Sequence, residues 1–97
     1  VTFVPDDSNA ITITLSGEID HQGARAMMEQ LEDAIARALP LRLTLDLSGV
    51  TFMDSSGIAV LLRALRQMNQ LGGSLRVTSI PVQARRVLDA AGVGPAG

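Results

Sequence analysis

The sequence contains no cysteine, lysine, tryptophan or tyrosine, and it has only two phenylalanines and one histidine. Without cysteine the chain can form neither a disulfide framework nor a thiolate metal site, and a single histidine further disfavours a metal centre. Scarce aromatic side chains leave little material for the apolar pocket of a small-molecule enzyme. We therefore expect no metal, no cofactor and no catalytic residues.

The charge pattern is also sparse. Eight basic residues, all arginine, and ten acidic residues give a net charge of -2, so the composition offers no basic surface for nucleic acid or anionic lipid. The longest apolar run, residues 58–62, is too short to cross a bilayer, and no charged-then-apolar signal segment opens the chain. We expect no direct nucleic-acid or membrane partner and a cytoplasmic location.

The length and the strand-like segments indicate one small α/β domain. A chain of 97 residues with 46% hydrophobic residues fits a single core, so residues 1–97 are interpreted as one domain. Residues 1–4 predict a first strand, and the alternation of Ile11, Ile13 and Leu15 with threonines predicts a second, closed by Gly17. The turn-forming residues 5–9 between them indicate a hairpin.

The rest of the chain alternates helix and strand. Helical periodicity from Ala24 is stopped by Pro40, and leucines at every second position from 41 to 47 predict a third strand that loosens at residues 48–49. After Asp54, helical spacing resumes and continues until residues 72–73, and the apolar stripe of this second helix consists of Ile58, Leu61, Leu62, Leu65 and Met68. Leu75 and Val77 mark a fourth strand, and Pro81 suits the first turn of a third helix. The predicted order, β-β-α-β-α-β-α, corresponds to a mixed four-stranded sheet covered by helices.

The most informative segment is residues 51–58, where a strand pattern gives way to a helix pattern. Asp54 is followed by Ser55, Ser56 and Gly57. A helix start has unpaired backbone N–H groups and the positive end of the helix dipole, so a hydroxyl there is oriented and able to carry a phosphate. Asp20 follows the second strand, and the carboxyl ends of parallel strands share one edge, so Asp20 and Asp54 should lie on the same rim.

Five segments in fixed order resemble the STAS domain of bacterial anti-sigma-factor antagonists. They are Gly-Glu-Ile-Asp-His at 17–21, Leu-Asp-Leu at 45–47, Val-Thr-Phe-Met-Asp-Ser-Ser-Gly at 50–57, Gly-Gly at 72–73, and the run 81–92. The Phe-Met-Asp-Ser-Ser-Gly core is the most specific part, and the Gly-Glu-Ile-Asp segment at the right distance strengthens it. At residues 93–97 the chain departs from the pattern, because the family usually continues with a further strand and a terminal helix.

This resemblance implies a partner switch. The unmodified antagonist binds an anti-sigma factor that is also a serine kinase, phosphorylation by that kinase breaks the complex, and a serine phosphatase resets it. Carried over by position, the phosphorylated residue is Ser55, and the partner-binding residues are Asp20, Asp54, Ser56 and Gly57.

Simpler interpretations stay open. Asp54 can be an N-cap whose two serines fill a first turn, and Asp20 can be a cap or turn residue of the first helix. The same fold can also be an unphosphorylated scaffold or accessory subunit of a stress-sensing or lipid-transport complex. A hydrolase triad of Ser55, His21 and Asp54 is disfavoured, because the Gly-x-Ser-x-Gly elbow is absent and His21 has no evident orienting partner.

Overall fold

The chain folds into an α/β domain whose sheet has the order β1-β2-β3-β4. This computed structural model describes the backbone of residues 2–7 and the whole of residues 9–92. The elements are β1 (Thr2–Asp7), β2 (Ala10–Ile19), α1 (Gly23–Ala38), β3 (Arg42–Met53), α2 (Ser55–Gln70), β4 (Ser74–Thr78) and α3 (Val82–Ala90). β1 pairs antiparallel with β2, and β2, β3 and β4 run parallel. The α/β class and the order of elements agree with the prediction, and the segment after 92 lies outside the described residues.

The core is formed by one face of the sheet and the apolar sides of all three helices. The fully buried side chains include the alternating β2 and β3 residues predicted to face inward. Side chains of α1, α2 and α3 join the same cluster, which contains Ile13, Leu15, Leu31, Ile35, Leu43, Leu45, Val60, Met68, Ala84 and Leu88. Burying a Leu or Ile side chain contributes about 1.5–3 kcal/mol to the stability of the fold, so the burial of this shared cluster is the main contribution that holds the elements together.

Strand β3 is longer than its sequence pattern predicted. The pairing with β2 shifts register between Thr14 and Ser16 and again between Gly17 and Glu18, so β3 contributes one extra residue at each irregularity. The inward-facing positions of β3 therefore change from every second residue to Leu47, Val50 and Met53. The expectation that the segment loosens at residues 48–49, and that β2 closes at Gly17, was wrong because both strands continue through these bulges.

The first irregularity has its own local stabilisation. The carboxylate of Asp46 accepts a hydrogen bond from the backbone N–H of Ser48 at 2.9 Å. Hydrogen bonds from Ser48, its backbone first and then its hydroxyl, hold the pKa of Asp46 below its ordinary value. Gly49 follows, and a Cβ there would lie 2.8 Å from Cβ of Ser16, so the close approach of β2 and β3 requires glycine.

The helix ends follow the predicted stops closely. α1 ends at Ala38, and Leu39 adopts a left-handed conformation with φ of 47° while its N–H donates to the carbonyl of Ile35 at 2.8 Å, just before Pro40. α2 is followed by Gly72 with φ of 74°. Pro81 stands one residue before α3 rather than inside its first turn. Among the described residues, no helix combines the length and apolar character needed to cross a membrane.

Candidate functional site at the carboxyl edge of β2 and β3

Two of the strand-to-helix junctions, β2 to α1 and β3 to α2, lie side by side at one edge of the sheet. Ile19, the last residue of β2, is paired with Met53, the last residue of β3. The backbone N–H of Asp54 also donates to the carbonyl of Ile19 at 3.2 Å. Asp20 and Asp54, which follow these two residues, therefore lie on one rim, as the sequence predicted.

The second junction is a capped helix start without any connecting loop. Asp54 has an extended backbone, and its Oδ1 accepts from the backbone N–H of Ser56 at 2.7 Å. The Asp54 carbonyl accepts from the N–H of Gly57 at 3.0 Å. Asp54 is therefore the N-cap of α2, which confirms the simpler of the two interpretations that the sequence allowed for it.

Ser55 occupies the first position of α2 and is exposed. The helix behind it is 16 residues long, and its dipole places partial positive charge at this end. Ser56 is half-buried and its N–H already belongs to the cap. Of the two serines, Ser55 is thus the more exposed.

Gly57 is buried, and its position is set by packing within the domain. A Cβ at this position would collide with the side chain of Met53, which is itself fully buried. The direct partner contact predicted for Gly57 does not fit this burial. Its role in the structure is to let the first turn of α2 close over the end of β3.

The first junction is a longer turn. Asp20 Oδ1 accepts from the N–H of Gly23 at 2.7 Å, and the Asp20 carbonyl accepts from the N–H of Ala24 at 2.9 Å. Asp20 therefore shapes the turn that leads into α1, which confirms the turn interpretation. It is half-buried, and the neighbouring His21 is exposed, so this turn is accessible from solvent.

An open cleft of about 900 Å³ separates the N-terminal halves of α1 and α2. His21 and Ser56 both line it, with Ala24, Met28 and Ala59 providing apolar surface and with charged groups around them. At one end, Arg63 Nε of α2 donates to Glu32 Oε1 of α1 at 3.0 Å. The cleft is continuous with the junction that carries Ser55, because Ser56 belongs to both.

The groups at this edge are hydrogen-bonding side chains, a helix start and the lining of an open cleft. Within residues 9–92, no three His, Asp or Glu side chains gather in a way that could hold a metal ion. The two rim carboxylates, Asp20 and Asp54, accept hydrogen bonds from nearby backbone N–H groups. What remains accessible is a hydroxyl at a positively polarised helix end, beside an open cleft.

Gln83 is a residue of the site that the sequence did not single out. From the first turn of α3, its Oε1 accepts from the N–H of Met53 at 2.8 Å, and its Nε2 donates to the carbonyl of Met53 at 2.7 Å. Thirty residues separate the two along the chain, and no local pattern signals such a contact.

Two leucines of α2 also differ from their predicted position. Leu62 and Leu65 were expected in the buried stripe, but they are 47% and 40% exposed, and Val60 and Ala64 are buried instead. Leu62 lies seven residues after Ser55 and Leu65 ten, with half-buried Ile58 between, so these positions follow one side of the helix. An exposed apolar ridge therefore extends from Ser55 along α2.

Comparisons with known proteins agree with this architecture, which defines a class of small α/β domains with a mixed sheet and three helices. The family model described as "Mlab, STAS domain" matches residues 2–95. A curated anti-sigma F factor antagonist of Paenibacillus polymyxa is 35% identical over 83 residues, which cover 86% of this chain and 71% of that protein. The chain therefore belongs to the STAS domain family, which confirms the resemblance found in the sequence.

Solved structures show the same fold. The anti-sigma factor antagonist SpoIIAA in its unphosphorylated form matches with a TM-score of 0.81 at 23% identity, over 97% of this chain and 82% of that one. An anti-sigma factor antagonist from Mycobacterium paratuberculosis matches with a TM-score of 0.79 at 28% identity, with the same coverage of 97% and 82%.

Proposed function

We propose that this protein is an anti-sigma-factor antagonist that binds its anti-sigma factor when Ser55 is unmodified and is released when Ser55 is phosphorylated. The observation that carries the proposal is the exposed hydroxyl of Ser55 at the first position of α2. The name of the Paenibacillus polymyxa relative supports the class of partner. The anti-sigma factor would itself be the serine kinase, and a serine phosphatase would restore the binding form.

The electrostatics of the junction support a switch that leaves the fold unchanged. A phosphoserine adds a charge of about -1.5 to -2 at neutral pH. The amides at the start of α2 stabilise that charge within the domain. A partner surface formed against a neutral hydroxyl would have to bury it beside the carboxylate of Asp54, and that repulsion and desolvation oppose docking.

The free-energy cost of burying a phosphate in the contact is comparable to the free energy needed to dissociate the complex. Moving a complex from 99:1 to 1:99 requires about 5.5 kcal/mol. Burying an unpaired charge within a contact costs about 2–5 kcal/mol or more, and a phosphate with two negative charges lies at the upper end of that range. No large conformational change is needed, because the charge appears inside the docking surface itself.

The docking surface that we propose includes the rim and the apolar ridge of α2. Asp20, Asp54 and Ser56 lie on the same rim as Ser55, and exposed Leu62 and Leu65 extend the surface along the helix. Apolar side chains in an otherwise charged surface provide the desolvated area that a specific protein contact requires. In this proposal the charge state of Ser55 at the rim controls whether the partner binds, and burial of the apolar ridge supplies most of the binding free energy.

Intact-mass spectrometry tests the proposal directly. The chain is incubated with ATP and the candidate serine kinases of its organism, and a gain of one phosphoryl group is mapped to a residue. Ser55→Ala should abolish the gain, whereas the adjacent variant Ser56→Ala should keep it. Modification at Ser56 alone would reject Ser55 as the acceptor.

A binding assay completes the test. Ser55→Ala should still bind the anti-sigma factor but should not be released by ATP, because the backbone surface survives while the acceptor hydroxyl is gone. A chain that binds its partner and is never modified by any of the kinases would instead be an unphosphorylated scaffold or accessory subunit.

A further inference from the structure

The last part of β3 lacks a strand neighbour on one of its sides. Pairing between β3 and β4 runs from Arg42 with Ser74 to Asp46 with Thr78 and ends there. Pairing with β2 on the other side continues to Met53. Half-buried backbone N–H and C=O groups require partners, so the free side of β3 near Met53 must be satisfied by something other than a strand.

The side chain of Gln83 provides this partner. Its primary amide carries one acceptor and one donor on adjacent atoms, and both bond to the backbone of Met53, at 2.8 Å and 2.7 Å. The next backbone N–H, that of Asp54, points the other way and donates to Ile19 at 3.2 Å. The end of β3 is therefore held on both sides, one residue before α2 begins.

Packing does not explain why Gln83 takes this position. Gln83 is exposed, and α3 is anchored in the core by Ala84 and Leu88 instead. The two hydrogen bonds are thus the specific contribution of Gln83, and they connect α3 to the residue that precedes the N-cap of α2.

We propose that Gln83 is a positioning residue, which holds the corner between β3 and α2 and thereby orients the side chain at position 55. The proposal rests on the proposed function only in treating position 55 as the acceptor. We call the two hydrogen bonds between Gln83 and Met53 the clamp. Because the clamp connects α3 to the end of β3, a displacement of the start of α3 would also loosen the backbone that precedes Ser55.

Amide hydrogen exchange of the whole chain, followed by NMR, tests the clamp. Gln83→Leu removes both hydrogen bonds to Met53. The N–H of Met53 should then exchange about tenfold faster than in the wild type, because the bond that this N–H donates is of ordinary strength. Arg86→Leu, which changes an exposed side chain of the same helix, should leave it unchanged. Unchanged protection at Met53 in Gln83→Leu would overturn the proposal.

A conservative variant keeps the test valid if Gln83→Leu fails to fold. In Gln83→Glu, the carboxylate can still accept from the Met53 N–H but cannot donate to its carbonyl, and protonation at low pH restores a donor. The carbonyl carbon shift of Met53 should therefore differ from wild type at pH 7 and return towards it as the glutamate protonates. A wild-type shift at both pH values would reject the clamp.

A thiol reports whether the clamp reaches position 55. The sequence contains no cysteine, so Ser55→Cys introduces a single reporter. A helix start lowers a thiol pKa below about 8.5, and loosening the corner should raise it again. Adding Gln83→Leu should raise the pKa measured from the pH dependence of iodoacetamide labelling, whereas adding Arg86→Leu should not.

An unchanged thiol pKa alongside faster exchange at Met53 would show a clamp that does not position residue 55, and it would overturn the proposal. Neither measurement uses a kinase or an anti-sigma factor. Failure of the positioning role and failure of the proposed function are therefore distinguished.

Discussion

The two junctions at the carboxyl edge use the same residue type in different ways. At the first, Asp20 closes a turn and α1 begins three residues later, at Gly23. At the second, α2 begins immediately after Asp54, and the cap bond reaches Ser56, two residues on. Only the second junction places an exposed hydroxyl at the first position of a helix.

The difference lies in what surrounds each aspartate. The corner before α2 is fixed by Ile19 from β2, by Gln83 from α3, and by the packing of Met53 under Gly57. Contacts from β2, α3 and the first turn of α2 therefore converge on the backbone directly before Ser55. We infer that this convergence would let the phosphorylation proposed for Ser55 act on a docking partner while the fold persists.

The largest expected effect is on partner binding, and it should differ between the two junctions when the same charge is placed at each. Ser55→Asp should weaken binding of the anti-sigma factor by about 2–5 kcal/mol, because it buries an unpaired charge in the contact. Gln22→Asp puts the same charge at the start of α1 and should weaken binding much less. Calorimetric titration of both variants measures the contrast, and equal losses would mean that the whole edge, not Ser55, responds to charge.

The same Ser55→Asp variant should remain folded. A carboxylate at a helix start is favourable by about 0.3–1 kcal/mol, and the neighbouring Asp54 opposes part of that gain. Urea unfolding should therefore place it close to the wild type. A large loss of stability would attribute the weakened binding to unfolding instead of charge.

The next largest effect concerns the packing beneath the second junction. Gly57→Val should lower the free energy of unfolding by about 1–3 kcal/mol, because its side chain would overpack against fully buried Met53. A double-mutant cycle with Met53→Ala should show strong coupling between the two positions. Independent, additive losses would place the strain elsewhere.

The hydrogen bonds of the two rim aspartates, a helix cap at Asp54 and a turn bond at Asp20, provide a smaller comparison. Asp54→Ala and Asp20→Ala should each lower the free energy of unfolding by about 1 kcal/mol, since each leaves a backbone N–H without its acceptor. Asparagine at either position should retain most of the stability, because its carbonyl can accept the same bond. Urea unfolding of the four variants measures this, and an asparagine variant as unstable as its alanine counterpart would show that charge matters more than capping.

Much of the fold follows from local patterns in the sequence. The alternation from Leu43 to Leu47 identified the inner face of β3, and Gly72 and Pro40 marked helix ends that the structure retains. The common rim with Asp20 was also predicted, because it follows from a general property of parallel sheets. The cap at Asp54 was an alternative that the sequence left open, because it depends on residues close in sequence.

The wrong predictions concern segments where tertiary contacts override the strand or helix periodicity of the sequence. The bulges in β3 interrupt the two-residue alternation, so the strand was predicted to loosen at residues 48–49, although it continues to Met53. The helical stripe of α2 placed Leu62 inside, although the sheet packs against Val60 and Ala64. The contact of Gln83 depends on two segments thirty residues apart, and a single sequence contains no signal for it.

The smallest effect concerns Asp46, which accepts an N–H two residues on, as Asp54 does, but at a strand bulge instead of a helix start. Because its pKa is lowered in the folded state, its contribution to stability is complete above the ordinary carboxyl pKa of about 3.9 and is lost as the pH falls through the lowered value. The stability difference between wild type and Asp46→Asn should therefore be larger at pH 7 than near pH 2.5, measured by urea unfolding. A difference independent of pH would mean that Asp46 stabilises the fold through the geometry of the bulge and not through its charge. The charge of an aspartate that accepts from the N–H two residues on would then contribute to stability only at a helix start, where the helix dipole adds to it.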